Sequence, residues 1–215
     1  MPKTPSSRPA VTDRPSDLDS VIRGRASVRK LLPDPVPAEL IRSAIAATGW
    51  APSPHGRQPW RFVVIEQPEM KAHLARSMAD SWQQQLELDR QNDAIVAIRL
   101  AKSQERITTA PAILIACLYL ADLDTYPDPD RQRAETTMAI QSLGAAIQNA
   151  LLTIYAAGYD AGWMCAPLFA PEVVRAALDL APDLIPHAMI PIGKRAADPV
   201  RRPRLPIDDL IAAWH

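Results

Sequence analysis

Two stretches decide the fold: Arg25-Ala26-Ser27-Val28-Arg29, and Ala51-Pro52-Ser53-Pro54-His55-Gly56-Arg57-Gln58-Pro59-Trp60-Arg61-Phe62. The first lies in a run from Arg23 to Lys30 that gathers four cations and a hydroxyl in eight residues. Guanidinium forks give directional, charge-assisted bonds and Ser27 adds a neutral donor, the inventory that wraps a phosphate. A solvated basic turn is the other reading of the same run, since charge runs are most often simply wet.

The second stretch carries three prolines and Gly56 between Ala51 and Trp60, directly before an apolar segment. Proline fixes φ and restricts the residue before it, so this is a rigid extended loop ahead of a strand. Ser53, His55 and Gln58 can offer hydrogen bonds to the edge of a flat heterocycle, or the loop is only a structural crossover. A third cluster, Arg201-Arg202-Pro203-Arg204-Leu205-Pro206, reads alone as a basic tail. Paired with the first run it supplies a second wall for one phosphate.

Outward from these stretches the chain is an ordinary globular sequence. It has 215 residues, 47% hydrophobic and 22% charged, with 24 basic and 24 acidic residues. That length fits one domain, expected over residues 16–215 behind a disordered arm over 1–15. A zero net charge gives no overall field toward nucleic acid or anionic lipid, so any anion is held by a local cluster. Cys117 and Cys165 lack a CxxC or His-rich setting, and we expect two reduced, buried thiols and no metal. The N-terminus has no apolar core segment for a leader, and no run reaches the ~18–20 apolar residues of a spanning helix. The expected location is cytoplasmic, without a membrane.

Periodicity and caps predict a short helix over 17–23 behind a Ser16 cap, and a helix opening at Pro37 and closing at Gly49. Strands are expected at 62–65, 111–119, 163–165 and 188–193, the second apolar throughout and so covered on both faces. Helices follow from Pro68 toward Leu88, over 93–106, over 131–157 and from Pro171 to about Leu180. The class is α+β. With seven glycines, the chain carries neither GxGxxG nor GxxxxGK[ST], and no GxSxG or HExxH occurs. If this is an enzyme, its reactive atoms belong to a bound organic cofactor.

The order RxSxR, APSPHxxQPWRF, a long Ala-rich helix bearing Gln148-Asn149, Gly162-Trp163-Met164-Cys165, Ile192-Gly193 and a final Arg-Pro-Arg-Leu-Pro resembles the nitroreductase superfamily over residues 17–210. The resemblance implies a nitroreductase-like fold, a central mixed or antiparallel sheet flanked by helices, in an interlocked homodimer with FMN at the interface. It places Arg25, Ala26, Ser27 and Arg29 at the FMN phosphate with Arg202 and Arg204, and Pro52, Ser53, Pro54, His55, Gln58 and Met164 about the ring. Many relatives have Asn where this chain has Gly56-Arg57, so a flavin contact there is not carried over.

Ala51-Pro52-Ser53-Pro54-His55, Met78-Ala79-Asp80-Ser81-Trp82, Leu123-Asp124-Thr125-Tyr126 and Cys165-Ala166-Pro167-Leu168-Phe169 are similar to the C-terminal FMN domain of bifunctional coenzyme F420 gamma-glutamyl ligases and its stand-alone forms. That similarity implies reduction of dehydro-F420-0, or a related intermediate of coenzyme F420 biosynthesis, by hydride transfer from reduced FMN, with Trp82 and Gln85 on the substrate and no titrating catalytic side chain. Four alternatives stay open: a broad NAD(P)H-dependent nitro- or quinone reductase with NAD(P)H as donor, a flavin- or deazaflavin-binding protein without turnover, an enzyme that fragments its own FMN, and an apo structural dimer.

Overall fold

The computed structural model describes residues 17–88 and 92–215. The expected arm over 1–15 and the Ser16 cap lie outside the described residues. The cap of α1 (Leu18–Gly24) is Asp17, whose carboxylate accepts from the Ser20 N–H at 2.9 Å. Next come α2 (Ala38–Thr48), β1 (Trp60–Ile65), α3 (Pro68–Leu88), α4 (Asp93–Thr108) and β2 (Ala112–Tyr119). The chain continues through α5 (Pro129–Ala156), β3 (Asp160–Ala161), α6 (Pro171–Ala177) and β4 (Leu184–Gly193). The class is α+β, as expected.

The sheet order is β1-β2-β4-β3, antiparallel at each named pairing. A parallel bridge joins Ser27 to Ala161 on the β3 edge. β2 is the axis of the molecule. Its even residues Ala112, Leu114, Ala116 and Leu118 enter one core with α2 and α5. Its odd residues Ile113, Ile115 and Cys117 enter a second core with Leu74, Ala75 and Met78 of α3 and Val174 of α6. Period-two alternation between two apolar layers is why this strand reads as a continuous apolar run.

The strands differ from expectation in several places: β1 starts at Trp60 rather than Phe62, the short β3 lies at Asp160–Ala161, and two larger differences follow. Residues 163–165 are not a regular strand: Met164 makes one bridge to Met189, and the chain then turns into a 3-10 turn over Ala166–Phe169. Pro167, with no N–H to give a ladder, ends the pairing there. Cys165 is consequently exposed, whereas Cys117 is buried. β4 starts at Leu184, earlier than residue 188, because Cys117 pairs with Pro186 while Ala116 pairs with Ala188, leaving His187 as the extra residue of a bulge. A bulge is where a sheet tolerates proline, and it interrupts the alternation a sequence reader looks for.

α5 is 28 residues, roughly 42 Å at 1.5 Å per residue, and spans the domain. It begins at Pro129 under the Asp128 cap and closes before Gly158, whose φ is 85°. Pro37 serves as N-cap of α2 rather than its first helical residue, and Gly49 closes that helix with right-handed dihedrals. α6 stops at Ala177, short of Leu180, as Asp179 takes a positive φ of 51°.

Candidate functional site

The segment after α1 is fixed along the β3 edge of the sheet. The Val28 N–H donates to the Ala161 carbonyl at 3.0 Å, Leu32 to Lys194 at 2.7 Å, and Ala196 back to Lys30 at 3.0 Å. Arg25, Ser27 and Arg29 sit at alternate positions about the Ser27–Ala161 bridge, with Val28 buried between Ser27 and Arg29. Close packing at two glycines holds the segment in place. A Cβ on Gly24 would lie 2.3 Å from the Tyr155 hydroxyl, and one on Gly162 would lie 2.7 Å from the Val28 carbonyl oxygen.

Arg25 carries the chemistry of this region. Its Nε is buried and has no hydrogen-bond partner. Burial first, then the charges of Arg204 and Arg201, depress its pKa below the ordinary arginine range. Three guanidinium groups therefore share one field. Arg201 is anchored by donating to the Arg23 carbonyl at 2.6 Å and to that of Gly24. The tail cluster from Arg201 was expected to meet this turn, with Arg202 and Arg204 as the phosphate contacts; the structure sets Arg204 and Arg201, not Arg202, in the field of Arg25. Adjacent arginines in an irregular segment give no period by which sequence could choose between them.

The Pro52–Gln58 loop is built differently. His55 (φ 54°), Gly56 (φ 67°) and Gln58 (φ 52°) all take left-handed backbone, and the Gln58 N–H donates to Ser53 Oγ at 3.1 Å. Such clustered unfavourable dihedrals persist only where the surroundings enforce them. Here Arg57 reaches Asp124 at 2.7 Å and donates to the Asp122 carbonyl at 3.1 Å, while Arg61 pairs with Asp122 at 2.9 Å and lies over Tyr119. Beneath them, Glu135 of α5 is buried, accepting from the Asp124 N–H with one oxygen and leaving the other unpartnered.

The clamp and the loop occupy opposite ends of the sheet. Ser27 bridges Ala161, which pairs with Ile192 and so with Ala112; Trp60 pairs with Leu118. Six steps of β2 lie between, roughly 20 Å at about 3.3 Å per residue.

A cavity of about 450 Å³ brings Met164 together with Trp82 and Gln85, and its lining includes Met78, Phe169 and Arg106. The Gln85 amide donates to the Phe169 carbonyl at 3.1 Å and ties α3 to the turn after Met164. Phe169 and Arg106 were not expected at the site. A second cavity of about 480 Å³ is lined by Arg29, Lys30, Lys102, Glu105 and Arg106. Arg29 thus faces a different space from Arg25, although both come from one motif.

The sequence profile of the Nitroreductase family matches residues 22–194. The chain belongs to that family. It is 28% identical over 159 residues to the iodotyrosine deiodinase of Nematostella vectensis, a match covering 66% of this chain and 56% of that protein. It therefore spans little more than half the length of this relative. The NADH dehydrogenase of Thermus thermophilus is 28% identical over 219 residues, covering 91% of this chain and 95% of that protein. The fold superposes on a BluB-like flavoprotein from Clostridium difficile with a TM-score of 0.77 at 24% identity, covering 93% of this chain and 99% of that one. A candidate nitroreductase in complex with FMN from Exiguobacterium sibiricum gives a TM-score of 0.71 at 21% identity, with coverage of 93% and 97%. At these identities the structures speak for a shared nitroreductase fold. Among the described residues no helix is long and apolar enough to cross a membrane.

Proposed function

We propose that this nitroreductase-family chain is an FMN-dependent oxidoreductase that uses NAD(P)H as electron donor and reduces a small molecule. One observation carries the flavin reading: a buried, unpartnered Arg25 Nε in the combined field of Arg201 and Arg204. An orphaned buried donor beside two like charges is unfavourable until an anion with several acceptor oxygens satisfies it. A phosphate monoester has that chemistry. Arg25 and Arg204 would hold it, with Ser27, Ala26, Arg29 and Arg202 as further contacts. When bound, FMN supplies hydride transfer. The chain's part is to seat the ring, exclude water from it and bring the second reactant alongside.

Met164 and the Pro52–Gln58 residues are our candidates for the ring. Because loop and clamp lie at opposite ends of one sheet, we propose that the loop completing each site comes from a second copy, in a homodimer. Exposed apolar side chains favour this: Trp50 beside the loop is 89% exposed, Ile22 of α1 and Met138 and Ile140 of α5 are open, and Trp214 in the tail is 87% exposed. Apolar surface on that scale marks an interaction face.

The NADH dehydrogenase and FMN-complex relatives support the NAD(P)H/FMN reading. Reduction of dehydro-F420-0, with F420 or its precursor as acceptor, is our second reading. It rests on the Pro-Ser-Pro-His and Met78–Trp82 stretches, together with a cavity that gathers Trp82, Gln85 and Met164. Brisk NADPH oxidation with nitroaromatics and no calorimetric F420 binding would leave only the first.

The flavin reading is tested by Arg25→Ala combined with Arg204→Ala. Each charge-assisted bond is worth roughly 1.5–3 kcal/mol, so FMN affinity should fall on the order of 100-fold or more. The purified variant should be colourless and still folded by circular dichroism. A variant that keeps its full yellow colour would put the phosphate elsewhere.

A further inference from the structure

The second cavity belongs to no element of the flavin reading except Arg29. Arg29 and Lys30 come from the clamp segment, Lys102 and Arg106 from α4, and Glu105 is the one acid in the lining. On α4 Lys102, Glu105 and Arg106, followed by the C-cap Thr109, keep helical spacing and share a face. Two like charges four apart on a helix are mildly unfavourable, and Arg29 and Lys30 add to that.

Seven arginines elsewhere among the described residues are paired with acids, while Arg42 and Arg76 stand singly. Arg23, Arg57, Arg61, Arg131, Arg133, Arg175 and Arg195 each meet a carboxylate within 4 Å. Among the described residues, none of Arg29, Lys30, Lys102 and Arg106 does so. Among the described residues, cations thus gather without a carboxylate within 4 Å at the Arg25–Arg201–Arg204 junction and around this cavity, where Glu105 is the one acid nearby. One flavin mononucleotide carries one phosphate.

Arg106 is half-buried and lines both cavities, so the cationic one adjoins the mainly apolar one that holds Trp82, Met164 and Phe169. An aromatic and apolar compartment joined through one guanidinium to a cationic compartment suits a ligand with a flat ring at one end and a phosphate group at the other.

We propose that the cavity lined by Lys30, Lys102 and Arg106, bordering the flavin's Arg29, is a second anion seat, which binds the phosphate group of the second redox partner while its ring occupies the Trp82–Met164 cavity. The inference rests on the flavin reading above for the first seat. A phosphorylated nicotinamide dinucleotide and a deazaflavin carrying a phosphodiester share the recognised chemistry.

The test uses the FMN-loaded full chain and calorimetric titration with inorganic pyrophosphate, 2′,5′-ADP and F420. Wild type should bind pyrophosphate with an affinity that falls steeply as salt rises. Lys102→Ala with Arg106→Ala should weaken it roughly tenfold to a hundredfold, at unchanged FMN content and unchanged melting temperature. Lys102→Ala alone, at an exposed position, should give a smaller loss in the same direction. Binding of 2′,5′-ADP lost in the double variant identifies the nicotinamide source, and binding of F420 lost there identifies the deazaflavin source; either supports the seat. Equal pyrophosphate affinity in wild type and double variant overturns it. Loss of FMN from the double variant also overturns it, because the cavity is then the flavin's own seat. A colourless Arg25→Ala/Arg204→Ala protein that still binds pyrophosphate supports two separate seats, whereas a yellow one breaks the flavin reading and leaves this seat to be judged on Lys102 and Arg106.

Discussion

The two ends of β2 hold their functional segments by opposite means. At the Ala112 end, Arg25–Arg29 is positioned by close packing: Gly162 under the Val28 carbonyl and Gly24 under Tyr155 leave no room for a Cβ. Its charges are uncompensated. At the Leu118 end, the Pro52–Gln58 loop is held in left-handed backbone by compensated charges, Arg57 with Asp124 and Arg61 with Asp122. The difference fits the flavin reading proposed above, in which the unbalanced cations would seat an anion and the stiff, charge-compensated loop would present fixed hydrogen-bonding groups.

The largest effect should come from packing at the clamp end. In Gly162→Ala the new methyl meets a backbone oxygen at 2.7 Å, which cannot swing aside as a side chain does. Overpacking of this kind costs roughly 1–3 kcal/mol, and the Val28–Ala161 hydrogen bond that carries the clamp should be strained with it. We expect a lower urea midpoint and reduced FMN retention. Gly144→Ala is the matched control, since nothing lies within 4 Å of its Cβ position in mid-α5, and it should stabilise by about 0.5–1 kcal/mol. Equal effects at the two glycines would show that close approach does not hold the clamp.

Charge removal should then have different outcomes at the two ends. Arg57→Ala deletes a partly exposed ion pair and a bond to the Asp122 carbonyl, and should lower the urea midpoint slightly. Amide hydrogens of 53–58 should exchange faster as the left-handed backbone relaxes. Arg204→Ala, measured without flavin, should stay within about 0.5 kcal/mol of wild type or exceed it, since it relieves repulsion on Arg25. A clear destabilisation by Arg204→Ala in the flavin-free protein would mean that the cationic junction holds the fold itself.

The same contrast explains what sequence could convey. β2, α3, α4 and α5 were legible because uninterrupted periodicity states both element and face. The loop was legible as rigid from its prolines, but positive φ at His55 and Gln58 was not, because neither residue type demands it. Pairing of the clamp with the tail was foreseen from charge, and the choice of Arg201 over Arg202 depended on which carbonyls lay within reach. Arg106 and Phe169 escaped because each looks ordinary in its own element; only the approach of α4 and the 166–169 turn to α3 gives them a cavity. The bulge at His187 hid the start of β4 for a related reason, as one extra residue reverses the alternation that marks a strand.

His187 sets the smallest expected effect, and it bears on the Leu118 end alone. It is the bulged residue beside Pro186, and burial lowers its pKa below the ordinary 6.5. The folded form therefore favours the neutral ring, and the unfolded chain binds the proton more tightly. Stability from this group is fully present above 6.5 and is lost as pH falls below that value toward the folded pKa. His187→Gln should flatten that part of the stability–pH curve and leave FMN affinity at neutral pH unchanged, because the bulge lies at the far end of β2 from Arg25. If the substitution instead weakens flavin binding at neutral pH, the two ends are coupled through β4, and the separation drawn between them fails.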